Sequence, residues 1–176
     1  QDSVCQIAND NGGGQLVISG EKAAVERAAK LCTDKGAKRA LMLQVSAPFH
    51  SALMAPAADV MREALSKVAR NAPAVPVVSN VAVAPLSDPD EIARRLVEQV
   101  TGRVRWRESV EWLAGEGGVT RFAEAGAGKV LAGMVKRIAP DAEAVSLPRR
   151  ASPVPAPPSN VGGGRITLAV PIRFNR

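Results

Sequence analysis

The strongest constraint on the fold is a strand–helix–strand unit near the start of the chain. Val4 to Ile7 and Gln15 to Ser19 read as short strands, and Asn9-Asp10-Asn11-Gly12-Gly13-Gly14 between them is built of residues that tolerate positive φ. Glu21 to Lys35 then carries Val25, Ala28, Ala29 and Cys32 at helical spacing, with Gly36 at the C′ position that closes a helix. Arg39 to Val45 returns as a strand and runs into the loop Ser46-Ala47-Pro48-Phe49-His50-Ser51.

The rest of the chain keeps the alternation. A second helix starts near Ser51 or Ala52, with Met54, Ala58, Met61 and Leu65 on one face, and Val75 to Val81 is a β-branched run suited to a buried strand. Asp88-Pro89-Asp90-Glu91 opens a third helix, Asp88 as N-cap, Pro89 at N1 and Glu91 placed to reach back. Arg107 to Leu113 predicts a short helix, Val119 to Ala123 a strand, Lys129 to Ile138 a helix and Ala142 to Leu147 a last strand. Strands alternating with helices predict an α/β protein with a largely parallel sheet.

Composition matters mainly for what it excludes. Aromatic residues make up 3% of the chain and tyrosine is absent, which argues against a stacking platform for single-stranded nucleic acid. The net charge of +6 is uneven: residues 1–146 hold 18 Lys+Arg against 17 Asp+Glu, and 147–176 hold five arginines and no acid. A nearly neutral body lacks the basic face that nucleic-acid binding needs. Cys5 and Cys32 form no CxxC pair, and Cys32 falls on the apolar side of its helix as a buried thiol. With no secretory h-region and no long apolar run, a cytoplasmic protein without membrane contact is expected.

Beyond Leu147, Pro148, Pro153, Pro155, Pro157 and Pro158 precede Gly162-Gly163-Gly164, a composition that builds no core and predicts a linker or disordered tail over 148–176. Arg165 to Arg176 could form a strand but has no obvious partner. Its abrupt change of composition is also that of a shifted reading frame or of a linker into another domain.

His50 is the chain's single histidine, and it sits where a strand has ended and a helix begins, a position that reaches the cleft at a sheet's carboxyl edge. A helix N-terminus favours the neutral imidazole that a general base needs. An ordinary loop histidine with one hydrogen bond is the competing reading. Ser51 beside it reads as a helix cap, and Gly126 and Gly128 as tight packing, since the run lacks the residues of a phosphate loop.

The string VSAPFHSALMAPAADVM (Val45 to Met61) resembles the histidine loop and following helix of the malonyl-CoA:acyl-carrier-protein transacylases. IANDN, GQLVISG, VPVVSNV, LVEQV, GRVRW, GVTRF and GAGKVLAGMVKRI match the same family in order, so the resemblance spans roughly Val4 to Ile138. It implies ping-pong transfer of malonyl from CoA through a serine to the phosphopantetheine thiol of acyl carrier protein, with no cofactor and no metal. It makes His50 the general base and Gln99 the residue whose backbone carbonyl holds the other ring nitrogen. Asn9 and Asn11 match a loop beside the cleft, although both also read as turn formers, and Phe49 matches a position where phenylalanine accompanies malonyl preference. The implied fold is part of an α/β-hydrolase-like acyltransferase domain with a partial ferredoxin-like small subdomain: 1–45 in the small subdomain, 46–147 in the large one.

The family's nucleophile lies in a G-H-S-x-G elbow, and no serine here has glycine two residues before and two after it. Chain and nucleophile are therefore expected to be separate, with an N-terminal half missing before Gln1 and no turnover by this polypeptide alone. The alternative is a non-catalytic module that docks acidic carrier protein on Arg94, Arg95, Arg103, Arg105 and Arg107.

Overall fold

The computed structural model describes residues 3–126, 128–147 and 170–173, the last by backbone alone. A four-stranded antiparallel sheet forms the first layer, in the order β1-β2-β8-β3, from β1 (Cys5–Asp10), β2 (Gln15–Gly20), β3 (Arg39–Ala40) and β8 (Val170–Arg173). Helix α1 (Lys22–Asp34) joins β2 to β3. Both strands run antiparallel to β8, so they are parallel to each other with one strand between them, a split β-α-β unit.

Local chemistry explains the ends of α1. Gly36 sits at φ 91°, its N–H donating to the Thr33 carbonyl at 3.0 Å while Ala37 N–H donates to Cys32 at 2.9 Å, a Schellman closure. Ile18, Val25 and Ala37 form the core between α1 and the sheet, with Cys5 and Cys32 packed at its margin. Burial pushes the Cys5 thiol up, and the neighbouring Cys32 adds to the effect. On the opposite face of β2, Val17 packs with Ala8, Leu43 and Val45. β2 is thus buried on both faces, as an interior strand is.

A single 3-10 turn (Ala52–Met54) leads into α2 (Ala55–Ser66), which packs along α3 (Pro89–Thr101). Asp88 caps α3 by accepting from Glu91 N–H at 2.6 Å, with Pro89 in the first turn, but the Glu91 carboxylate turns to Arg94 and Arg95 instead of reaching back. β4 (Val77–Ser79) and β5 (Ala84–Leu86) make a hairpin; β6 (Arg121–Ala125) and β7 (Glu143–Leu147) pair in parallel, linked by α5 (Val130–Ile138). Helix α4 (Trp106–Ala114) is tied to β1 through Arg107, whose guanidinium donates to Asp10 at 2.9 Å and to Glu111 at 2.7 Å.

Three expectations are corrected. The sheet is not largely parallel: among the described residues the strands form three separate sheets, of which β6-β7 alone is parallel. The run from Val75 to Val81 is not a buried strand, since only Val77–Ser79 pairs, Val75 is 71% exposed, and β5 is the one strand beside it among the described residues. The strand in 165–176 does have partners, because β8 pairs with both β2 and β3; residues 148–169 and 174–176 lie outside the described residues.

Val25 is fully buried whereas Val60 on α2 is 68% exposed. We expect Val25→Ala to cost about 2 kcal/mol from lost transfer energy and the cavity left behind. Val60→Ala should stay within about 0.5 kcal/mol, the two compared by urea midpoints at unchanged slope.

Candidate functional site

The C-terminus of α3 leaves carbonyls without intrahelical partners, and the loop ahead of α2 carries a ring to them. His50 Nδ1 lies 3.0 Å from the Gln99 carbonyl oxygen and 3.1 Å from that of Gly102. Two carbonyls can only accept, so Nδ1 carries a hydrogen, and in the neutral ring Nε2 is the nitrogen with the lone pair. His50 holds φ 58°, a left-handed backbone that costs a non-glycine residue on the order of 1 kcal/mol or more and persists where its surroundings enforce it.

Those surroundings are specific. The fully buried Ser51 hydroxyl donates to the Pro48 carbonyl at 2.7 Å and closes the loop around His50; it makes no helix-cap bond, contrary to the cap expected of it. Gln6 on β1 accepts from Ala52 N–H at 2.7 Å, so the first free donor of the turn after His50 is already engaged. The field that stands nearest the ring is therefore the carbonyl end of α3 rather than a helix N-terminus.

A second set of bonds fixes the carbonyl end. Gln99 Nε2 donates to the Gly102 carbonyl at 3.0 Å, Asn80 Nδ2 donates to Gln99 Oε1 at 3.0 Å, and Asn80 Oδ1 faces the buried Ser109 hydroxyl at 3.3 Å. The Ser109 hydroxyl also meets the Arg105 carbonyl at the shorter distance of 2.9 Å, so the directed part of the run goes from Asn80 to Gln99 to Gly102 and ends on an oxygen that also holds His50. Gln99 thus contributes twice, through its carbonyl to the ring and through its amide to Gly102.

β1 borders this region. Its register with β2 shifts between Ile7 and Asn9, and the displaced Ala8 lets the strand bond outward: Val104 N–H donates to Ala8 at 2.7 Å and Asp10 N–H to Val104 at 2.8 Å. Asn9 is opposite Val104 in this bridge, two residues beyond Gly102. Asn11 sits at the head of the β1–β2 turn, its N–H donating to Gln15, so its recorded bond is that of a turn former. Phe49 is 45% exposed next to His50. The structure therefore joins His50 to Gln99, places Asn9 along the same edge, and leaves Asn11 in the turn beyond it.

Gln6, Asn80, Gly102 and Ser109 belong to this arrangement and were not singled out as site residues from sequence. Asn80 and Gly102 lie inside VPVVSNV and GRVRW, strings that carry the resemblance, but a carbonyl oxygen leaves no side-chain signature. The five arginines proposed as a docking surface are already engaged: Arg94 and Arg95 with Glu91, Arg95 also with Glu98, Arg103 and Arg105 with Glu108, and Arg107 with Asp10 and Glu111. The Glu91 and Glu108 carboxyls are held below the usual range, by hydrogen bonds from Arg94 and Arg95 and from Arg105 respectively.

Known proteins answer to this sequence and fold. A malonyl CoA-acyl carrier protein transacylase of Haemophilus influenzae is 49% identical over 144 residues, 82% of this chain and 46% of its own length. The crystal structure of an acyl-carrier-protein S-malonyltransferase from Bartonella henselae superposes with a TM-score of 0.79 at 58% identity, over 81% of this chain and 45% of that one. A type II polyketide acyl-carrier protein in complex with its malonyl-transacylase matches with a TM-score of 0.78 at 42% identity, over 85% and 48%. No family model matches the chain. Sequence and fold together define an acyltransferase-related α/β protein. More narrowly, the chain belongs to the malonyl CoA-acyl carrier protein transacylase family, and it spans about half the length of the relatives it matches.

Gly102 offers a direct test of the carbonyl end. A Cβ there would stand 2.8 Å from Val81 Cγ1 and 2.9 Å from the Glu98 carbonyl oxygen, so the backbone must move, whereas one at Gly133 in α5 meets nothing within 4 Å. We expect Gly102→Ala to destabilise by about 1–3 kcal/mol and to raise the Nε2–H tautomer of His50, read from ring nitrogen shifts, while Gly133→Ala leaves both unharmed.

Proposed function

We propose that this chain supplies the general base of an acyl-transfer site that moves malonyl from CoA to the phosphopantetheine thiol of acyl carrier protein, in fatty-acid or polyketide synthesis. The observation that carries the reading is the pairing of His50 Nδ1 with the Gln99 and Gly102 carbonyls, which reserves Nε2 for proton transfer. In the first half-reaction Nε2 takes the proton of a serine hydroxyl as its oxygen attacks the thioester. The C–S bond breaks, the proton passes to the departing CoA sulfur, and malonyl remains on the serine. In the second, Nε2 takes the proton of the pantetheine thiol, the sulfur attacks the malonyl ester, and the serine oxygen leaves with the proton from His50.

During both steps the ring becomes positive, and the two carbonyls that share the Nδ1 hydrogen stabilise it there; such a hydrogen bond to a charged group contributes about 1.5–3 kcal/mol. A carboxylate takes that place in hydrolase triads. The serine comes, on this reading, from the half of the fold that the chain does not span. Asn9 and Asn11 border the substrate cleft, and the Phe49 ring narrows the acyl pocket toward malonyl. The β1-β2-α1-β3 region, 1–45, is read as part of a ferredoxin-like small subdomain, 46–147 as part of an α/β-hydrolase-like large one, and 148–176 as a tail. A cytoplasmic enzyme follows from the substrates; among the described residues no helix is long and apolar enough to cross a membrane.

Docking without catalysis is the weaker reading, because its arginines are paired with acids of this same chain.

The purified chain alone should transfer no malonyl to carrier protein, and measurable transfer by it would overturn the split of base from nucleophile. With the missing half restored, His50→Ala should lower kcat/KM about a thousandfold or more while carrier binding persists. Gln99→Ala keeps the backbone carbonyl and loses only the amide, so it should cost about tenfold or less. Equal losses in the two variants would count against a backbone role for Gln99.

A further inference from the structure

Two non-glycine residues hold a positive φ among the described residues, His50 at 58° and Val83 at 54°. The valine is the more unusual case, because a β-branched side chain crowds a left-handed backbone. Val83 closes the turn 80–83 between β4 and β5. Strain of this kind persists only where the surroundings enforce it, and it gathers at sites whose geometry must be held.

The neighbours of the turn do enforce it. Val83 N–H donates to the Ser79 carbonyl at 2.7 Å, and Ala82 N–H reaches the hydroxyl of the buried Ser79 at 3.4 Å. Arg105, itself paired with Glu108, donates to the Val81 carbonyl at 3.1 Å. What the turn presents is Asn80, whose Nδ2 donates to Gln99 Oε1. The strained turn and the strained histidine therefore stand at the two ends of one run of contacts, Asn80 to Gln99 to Gly102 to His50.

Gly102 explains why such a run is needed. Val81 of the same turn and the Glu98 carbonyl leave no room for a side chain at 102, so glycine is imposed there. Glycine restrains its own backbone least, yet its carbonyl is one of the two oxygens on His50 Nδ1. The Gln99 amide supplies the missing restraint through Nε2, and it can do so in one orientation only. A carbonyl oxygen only accepts, so Oε1 turned toward Gly102 would set two acceptors face to face. With Nε2 on Gly102, Oε1 faces the turn, and Asn80 meets it with a donor. Without that donor the amide loses the bond that anchors its far side, and side-chain entropy draws it off the carbonyl.

We propose that Asn80 is a positioning residue for His50: presented by the strained 80–83 turn, it fixes the Gln99 amide and, through it, the Gly102 carbonyl that keeps the hydrogen on Nδ1. Its bearing on acyl transfer rests on the general-base function proposed for His50; its effect on the ring does not.

The test is the tautomer ratio of the neutral His50 ring in the full chain, read from ring nitrogen shifts in mildly alkaline solution. Asn80→Ala should raise Nε2–H relative to Nδ1–H at least about threefold, within what one net hydrogen bond supplies. Gln99→Ala keeps the backbone carbonyl and should raise the ratio by a similar factor. Adding Asn80→Ala to Gln99→Ala should then change the ratio no further, because the route from Asn80 to the ring is already cut. Effects that multiply in the double variant, or a wild-type ratio in Asn80→Ala, overturn the proposal. Should Asn80→Ala fail to fold, Asn80→Asp keeps the shape while offering acceptors alone, which turns Gln99 Nε2 away from Gly102. It should raise the ratio at least as much, and a wild-type ratio there overturns the proposal equally. No readout involves malonyl transfer, so failure here and failure of the catalytic reading remain separate results.

Discussion

The bond from His50 Nδ1 to the carbonyl end of α3 is the contact around which the site is organised. A helix ends with oxygens that need donors, and a loop histidine in a left-handed backbone needs something to keep it there. Each supplies what the other lacks. α3 stops at Thr101, Gly102 turns to an extended backbone, and the two oxygens converge on one nitrogen at 3.0 and 3.1 Å. Around this contact β1 braces the turn through Gln6, Ser51 closes the loop on Pro48, and Asn80 and Gln99 hold Gly102. The residues come from distant stretches of sequence, so the geometry depends on the α2–α3 pair and on β1 lying beside Val104.

Much of the local structure was legible because it is local. Asp88-Pro89 and Cys32-to-Ala37 encode helix ends within a few residues, and both ends form as the sequence predicts. His50 and Gln99 could be named because the resemblance ties a histidine loop to a second string. What escaped was non-local. Strand-like runs do not say which runs they lie beside, so one largely parallel sheet was expected where the described residues form three sheets. The Gly102 oxygen and the Asn80 amide act through backbone position and amide orientation, and neither property appears in residue type. The partners of β8 escaped for a similar reason: nothing near residue 170 says which strands it lies beside.

Charge shows the same limit from the other side. Counted along the sequence, the arginines from Arg94 to Arg107 suggest a basic surface. In the fold, Arg94, Arg95, Arg105 and Arg107 each find an acid three or four residues away on the same helical segment, and Asp10 comes from β1 to share Arg107. Exposed pairs of this kind add little stability. Their effect is to cancel a field, which leaves the carrier-docking reading without the free positive charge it requires.

Exposed apolar surface is concentrated where the strand pairs are shortest. Val77 at 45%, Leu96 at 49%, Val130 at 65% and Leu147 at 48% lie on or beside the β4-β5 and β6-β7 pairs and α3. Two-stranded sheets are marginal by themselves, and open edges attract other strands. Two short open pairs flanked by exposed apolar side chains leave much of their ladder and packing capacity unused among the described residues, which is why the stability of this part rests on α3, α4 and α5 rather than on its strands.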